Sequence, residues 1–249
     1  MQEYWETYMK PMEGYPSAVM FNVDVSDGSL KEEYGYVGFV KVFLHAPKDD
    51  GLLQEEEQED ISFIEDSIEM ESLRYRIGKY VGRIITQGSV NFIYYLKYDF
   101  EWNSAVGDAM KKFEDYRYEF GAREDMEWEV YDKLLLPTAK QWQIIQNHRT
   151  CNMLQEAGDN LRLGRAIEHK IYFNTPQDRE IYKEFIQNDG FKIQKEMEPS
   201  DEISMYGLQF YRIDVPYYYE IDELTMNLID NAKTYGGEYD GWETSVVKT

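Results

Sequence analysis

Three histidines and one cysteine are all that this chain offers toward imidazole or thiolate chemistry. His45, His148 and His169 stand far apart, with no H-E-x-x-H pair, and a lone Cys151 cannot build a thiolate zinc site. There is no G-x-S-x-G elbow, no P-loop and no dinucleotide-binding glycine fingerprint. Asp24, Ser26 and Gly28 are spaced like the start of a calcium loop, but the fifth position lacks a ligand and the twelfth is Gly35. Carboxylates present the reverse problem. With 48 acids, a pair suited to glycoside chemistry can be drawn almost anywhere, so pairing selects nothing. His169 alone has a defined setting. Alternation puts it between Ile167 and Ile171 on an apolar strand face, the setting of a core histidine satisfied by a hydrogen bond. The sharper reading pairs it with Glu238 or Asp240 on a neighbouring strand, as an acid–base pair or ligand site. We expect no catalytic residue, metal or cofactor from these patterns.

The elements that must position His169 follow from the punctuation of the second half. Residues 163–173 alternate as a strand, Thr175 is an N-cap and Pro176 sits at N1, where its missing N–H is harmless. Ile181 and Phe185 carry a helix to Gly190. Phe191-Lys192-Ile193 begins a strand, residues 206–215 supply another, and Ile221, Leu224, Leu228, Ala232 and Tyr235 mark a further helix. Then comes Tyr235-Gly236-Gly237-Glu238-Tyr239-Asp240-Gly241-Trp242-Glu243, read as a corner. Its paired glycines suit a helix stop and turn, and Gly241 predicts a bulge or a close backbone approach in a last strand ending at Val247. The order βαββαβ is ferredoxin-like. First and last strands are antiparallel neighbours in that topology, so the stretch around His169 should lie beside residues 238–242.

The first half reads as ββαββαβ. Residues 18–25 and 36–44 are strand-like, with turn chemistry at Ser26-Asp27-Gly28-Ser29 between them. Residues 49–71 hold eleven acids and no base, yet Ile61, Ile64 and Ile68 recur at helical spacing, so the apolar side of a helix faces inward and its carboxylates face water. Residues 80–85 and 92–96 flank Gln87-Gly88-Ser89 as a hairpin. Val106, Ala109, Met110, Phe113 and Phe120 predict a second helix, and Trp128-Glu129-Val130-Tyr131 a short last strand. After Pro137, Thr138 and Gln141 have capping-box spacing, and a helix runs through Ile144, Ile145 and Leu154 to Gly158. The expected fold class is α+β. Residues 1–137 form one domain and 138–160 a bridging helix. Residues 161–249 form a ferredoxin-like domain, and each domain is a mostly antiparallel sheet covered by helices.

Composition narrows the function. Hydrophobic residues make up 43% and aromatics 16% of 249 residues, ample for packed cores. The net charge is −22, with 14 basic against 29 acidic residues up to Pro137 and 12 against 19 beyond it. Such a balance excludes direct nucleic-acid and anionic-membrane binding, which need basic surface, and admits a basic protein partner. One cysteine permits no intrachain disulfide, residues 1–13 lack an apolar secretory segment, and no run approaches a membrane span. A cytoplasmic protein is expected.

Ile167-Glu168-His169, Phe173, Gly190-Phe191 and Glu238-Tyr239-Asp240-Gly241-Trp242 together resemble the regulator of ribonuclease E activity B (RraB-like) family, over about the last hundred residues. Gly51-Leu52 before Glu55-Glu56, Ile64-Glu65-Asp66, Val81-Gly82-Arg83 and Trp128-Glu129-Val130-Tyr131 resemble a bacterial domain family of unknown function often joined to such a module. Gly158-Asp159-Asn160, Arg165 and Glu168-His169 fit the two-domain form. The resemblance implies a non-catalytic inhibitor that binds ribonuclease E and changes RNA turnover. On that reading the chain is a protein-binding regulator, and a basic RNA-processing enzyme is the partner class. Its contact surface is the acidic helix (residues 54–73) or the corner (residues 238–243), with Glu168, His169, Glu238, Tyr239, Asp240 and Trp242 as binding residues. Two alternatives stay open: an enzyme using His169 with carboxylates of the last strand, and an acidic decoy or immunity protein that occupies the basic site of a nuclease. Oligomeric state is left open.

Overall fold

The computed structural model describes residues 3–26, 28–201 and 203–248. Met1, Gln2, Asp27, Glu202 and Thr249 lie outside them, and the turn expected through Asp27 falls partly there. No described helix is long and apolar enough to cross a membrane. The chain divides into two compact units, Met1–Pro137 and Thr138–Thr249.

The first unit is a six-stranded antiparallel sheet with two helices. In chain order it contains β1 (Trp5–Met12), β2 (Tyr15–Asn22), β3 (Tyr36–Phe43), α1 (Gln58–Tyr75), β4 (Gly78–Thr86), β5 (Ser89–Leu96), α2 (Trp102–Met110) and β6 (Tyr118–Glu124). The strand order is β1-β2-β4-β5-β3-β6. β1 was hidden in the sequence by Glu6, Lys10 and Pro11, residues that an edge strand tolerates because one side of it needs no partner. Three further expectations are corrected. β2 stops at Asn22, whose side chain accepts from the Asp24 amide and starts a 3₁₀ turn over Val23–Val25. α2 ends at Met110, so Phe120 belongs to β6. Trp128-Glu129-Val130-Tyr131 is no strand, since Trp128 has φ +58° and a π-helical turn follows at Tyr131–Leu135. The last strand is β6.

With the β1–β2 hairpin set aside, β3-α1-β4-β5-α2-β6 repeats the βαββαβ plan, and its strand order β4-β5-β3-β6 is the ferredoxin-like one. One sheet face packs Val40, Val42, Phe92, Tyr94 and Leu96 against Ile61, Ile64 and Ile68 of α1 and Trp102 of α2. The other face is closed by residues 125–136. There Trp128 stacks on Tyr95 at 3.9 Å, Tyr131 donates to the Asn22 carbonyl at 2.5 Å, and Tyr8 donates to the Leu135 carbonyl at 3.0 Å. Asp125, itself buried, fastens this segment. It accepts from the Tyr95 hydroxyl at 2.6 Å and from the Glu129 and Val130 amides at 2.9 and 3.0 Å. Burial pushes its carboxyl up, but these hydrogen bonds prevail and hold it below the ordinary range.

The second unit contains α3 (Ala139–Glu156), β7 (Arg165–Phe173), α4 (Pro176–Asn188), β8 (Lys192–Met197), β9 (Tyr206–Asp214), α5 (Tyr218–Thr234) and β10 (Gly237–Glu243). Its antiparallel sheet has the order β10-β7-β9-β8, which is the ferredoxin-like layout. The Thr138/Gln141 capping box forms, and α3 packs on α5 within this unit. α4 buries Tyr182 and Ile186 with the β7 and β9 core residues Ile171, Phe173, Leu208 and Phe210, while Ile181 faces water.

Asp125→Ala should lower the stability of the first unit by about 1–3 kcal/mol, because the Tyr95 hydroxyl and two amides lose their acceptor. Urea unfolding measures it. Tyr95→Phe removes the bond to Asp125 and the one that the hydroxyl accepts from the Tyr131 amide, but it leaves the carboxylate to the Glu129 and Val130 amides, and should have a smaller effect.

Candidate functional site

The site expected around His169 is built on the β7–β10 pairing, and that pairing is irregular. Tyr239 faces Ile171, Gly241 faces Lys170 and Trp242 faces His169, so Asp240 is an extra residue in β10. Tyr239 and Trp242 are three positions apart, and a regular strand would send them to opposite faces. The bulge restores their parity, and both project toward the helices. Gly241 has φ +138°, a backbone conformation that L side chains rarely adopt.

On the helix side His169 is 1% exposed. Its ring stacks on Phe210 at 5.6 Å and meets the edge of Phe191 at 5.8 Å. Nδ1 and the Tyr239 hydroxyl share a hydrogen bond of 2.8 Å, while Nε2 has no partner among the described residues. Burial, followed by the charge of Arg212, lowers the imidazole to about 3, so it is neutral at pH 7. Burial also raises Tyr239 well above the ordinary tyrosine value.

Trp242 makes the next link. Its Nε1 donates to Asn147 Oδ1 at 2.8 Å, across to α3. Asn147 is fully buried, and its Nδ2 donates to Asp222 Oδ1 and Thr225 Oγ1 of α5, each at 2.8 Å. Gln143 Nε2 adds a second donor to Oδ1 at 2.9 Å, so all four hydrogen-bonding positions of the amide are used. His148 reaches Asp222 Oδ2 at 2.8 Å beside it. A second buried lock lies nearby. Arg165 and Asp159 form a two-pronged ion pair at 2.5 and 2.7 Å, with side chains 5% and 0% exposed. Arg165 also donates to the carbonyls of Asn160 and Ser245, and Asp159 accepts from the Val247 amide at 2.6 Å. The bond from Arg165 holds the Asp159 carboxyl below its ordinary range against the opposing effect of burial.

The carboxylates are elsewhere. Glu168, Lys170 and Gln209 project from the reverse sheet face, where Gln209 Nε2 donates to Glu168 Oε2 at 3.1 Å and Lys170 approaches Asp240 at 3.9 Å. Glu243 stands opposite Glu168, and these residues border a shallow depression of about 170 Å³. Glu238, paired with Tyr172, shares that face. Of the six residues singled out in the sequence, His169, Tyr239 and Trp242 thus lie inside, and Glu168, Glu238 and Asp240 lie on the other side of the sheet. The partner of His169 is Tyr239, and neither Glu238 nor Asp240 joins it. No cluster of three or more metal-ligating side chains occurs among the described residues.

Sequence reasoning passed over Asn147, Asp222 and Thr225 and gave Asp159 and Arg165 no partner. A signal was present. Asn147 lies three residues after Ile144 and four before Cys151, on the inward face of α3, and Arg165 shares strand parity with Ile167 and His169. A polar residue at an apolar position asks for a buried partner.

Both units are thus antiparallel α+β sheets, and the second turns His169, Tyr239 and Trp242 inward. Residues 3–136 match the model of a family of unknown function (DUF695), and the chain belongs to that family. Residues 144–244 match the model named Regulator of ribonuclease activity B. No curated protein matches. Among solved structures, an unknown protein from Galdieria sulphuraria aligns at 10% identity over 86% of this chain and 99% of its own, with a TM-score of 0.24. A protein provisionally assigned as a glycine cleavage system transcriptional repressor aligns at 5% identity over 85% and 98%, with a TM-score of 0.23. Superpositions this loose carry no weight here.

Three residues of the first unit that carry the resemblance, Glu65, Gly82 and Arg83, have structural work. Glu65 of α1 and Arg83 of β4 form a half-buried ion pair. At Gly82 a Cβ would fall 2.3 Å from the Met20 carbonyl oxygen, so glycine lets β2 and β4 pair there.

Two outcomes are expected. Arg165→Gln should destabilise the second unit by about 3–5 kcal/mol in chemical denaturation, because it strands a buried carboxylate. His169 predicts a pH effect with a definite sign. The unfolded imidazole takes up a proton near pH 6.5 and the folded one near 3, so this group's contribution is complete above pH 6.5 and falls as pH drops through the interval. Unfolding free energy measured from pH 3 to 6.5 should therefore have a smaller slope in His169→Gln than in the wild type. Equal slopes would show that the buried imidazole does not resist protonation.

Proposed function

We propose that this chain is a non-catalytic regulatory protein that acts by contact with another protein, an RNA-processing nuclease being the partner class. The match of residues 144–244 to Regulator of ribonuclease activity B carries this reading. Two features of the molecule support it. The aromatic side chains of the matching signature are engaged in packing and internal hydrogen bonds: Tyr239 with His169, and Trp242 with Asn147. His169 is buried and neutral, and its hydrogen bond goes to the Tyr239 hydroxyl and not to Glu238 or Asp240, the carboxylates that an acid–base pair on these strands would need. What remains for function is surface, and at a net charge of −22 that surface favours a basic partner. Action in the cytoplasm goes with this reading, since RNA turnover takes place there.

The test titrates the full-length protein into a purified ribonuclease that carries a basic RNA-binding segment. Co-sedimentation reports the complex, and cleavage of a fluorogenic RNA reports regulation. A complex is expected at about 50 mM salt, with slower cleavage and an affinity at least about tenfold lower at 300 mM, because opposite charges drive the encounter. Absence of a complex at the lower salt would refute the partner class.

A further inference from the structure

The first unit carries an apolar surface that its own fold leaves uncovered. α1 buries Ile61, Ile64 and Ile68, yet Phe63, Met70 and Leu73 are 53%, 52% and 63% exposed. With Glu59 and Asp66 they occupy positions 59, 63, 66, 70 and 73, alternating steps of four and three. That spacing lines up a single seam on the outer face of a helix, as the a and d positions do in a coiled coil. The seam is preformed, since Ser67 Oγ ties α1 to the Ala109 carbonyl of α2 at 3.0 Å and Arg74 reaches Asp108 at 2.5 Å.

Charge selects what lies on it. Residues 49–71 contain eleven acids and no base. Glu65 and Glu71 are paired with Arg83 and Arg74, whereas Glu59, Asp60 and Asp66 form no ion pair with a described residue. Partial burial, then the charges of Glu3 and Glu65, push the Glu69 carboxyl up, the mark of a negative field that Lys79 offsets only in part. An anionic membrane or a nucleic acid would be repelled. A second copy of the chain would set Glu59 and Asp66 against their own kind.

We propose that the outer face of α1 is a docking site for a basic amphipathic helix of a partner protein. The apolar side chains of that helix lie on Phe63, Met70 and Leu73, and its lysines or arginines lie over Glu59, Asp60 and Asp66. The site belongs to the unit of unknown function and does not depend on the ribonuclease reading.

The probe is a synthetic peptide of about 21 residues, with leucines in a heptad seam flanked by lysines, against a scrambled peptide of the same composition. Fluorescence anisotropy with the full-length protein measures affinity, and circular dichroism measures helix gained on binding. The seam peptide should bind at least about tenfold more tightly than the scrambled one and become helical. Phe63→Glu with Met70→Glu should abolish that advantage, and Phe100→Glu, at a residue 72% exposed elsewhere in the same unit, should leave it intact. Both altered side chains of the seam variant are already exposed, so its thermal midpoint should match the wild type. If the midpoint falls, Glu59→Lys with Asp66→Lys tests the same contact and should weaken binding about tenfold. Equal binding of the two peptides would reduce the effect to bulk charge and overturn the proposal. So would undiminished binding by the seam variants, or self-association of the wild type that the double variant abolishes.

Discussion

One inserted residue governs the second unit. Asp240 gives β10 a bulge, and the bulge places Tyr239 and Trp242 on the same face although three positions separate them. Much of the surrounding packing depends on that parity. Tyr239 closes over His169, and Trp242 reaches Asn147, whose amide joins α3 to α5 through Asp222 and Thr225. A regular strand would turn one of these aromatics into water and leave either His169 Nδ1 or the Asn147 carbonyl short of a partner. The stretch through Gly241 is therefore an architectural device, with the open face of its own strand left to the carboxylates.

The two units share a topology and finish it differently. Each contains a βαββαβ core with the same strand order, and in each the helices cover one sheet face. In the first unit residues 125–136 close the opposite face with Trp128 and Tyr131 under the control of Asp125. In the second, the reverse face carries Glu168, Lys170, Gln209 and Glu243, and none of α3, α4 or α5 lies over it. The reverse sheet face is thus covered by chain in the first unit and left free of helices in the second.

Buried polar pairs recur at the points where segments of chain must be held: Asp125 with Tyr95, Asp159 with Arg165, Asn147 with Trp242. Each is held by several hydrogen bonds, with Arg165 Nε the one buried atom of these pairs that has no partner among the described residues, so removal of one member is damaging. Specific docking of 125–136, of the tail near Val247 and of α3 is what these pairs add to hydrophobic packing, which is itself indifferent to register.

The sequence by itself determined the fold class, most elements, the inward setting of His169 and the antiparallel meeting of β7 with β10, because periodicity, caps and glycine punctuation are local and physically specific. It also marked Gly241 as a bulge. It missed β1, whose charges and proline mask an edge strand, and it misread Trp128 to Tyr131, whose β-prone residues serve in a capped turn under tertiary control. Only the tertiary structure decided which residues share a face across the bulge. It separated His169 from Glu238 and Asp240, joined Trp242 to Asn147 at a distance of 95 residues, and paired Asp159 with Arg165 across the chain's return. The reason is physical: alternation assigns a side chain to one side of its own strand, whereas partners on other elements are chosen by packing and by the need to satisfy buried polar atoms.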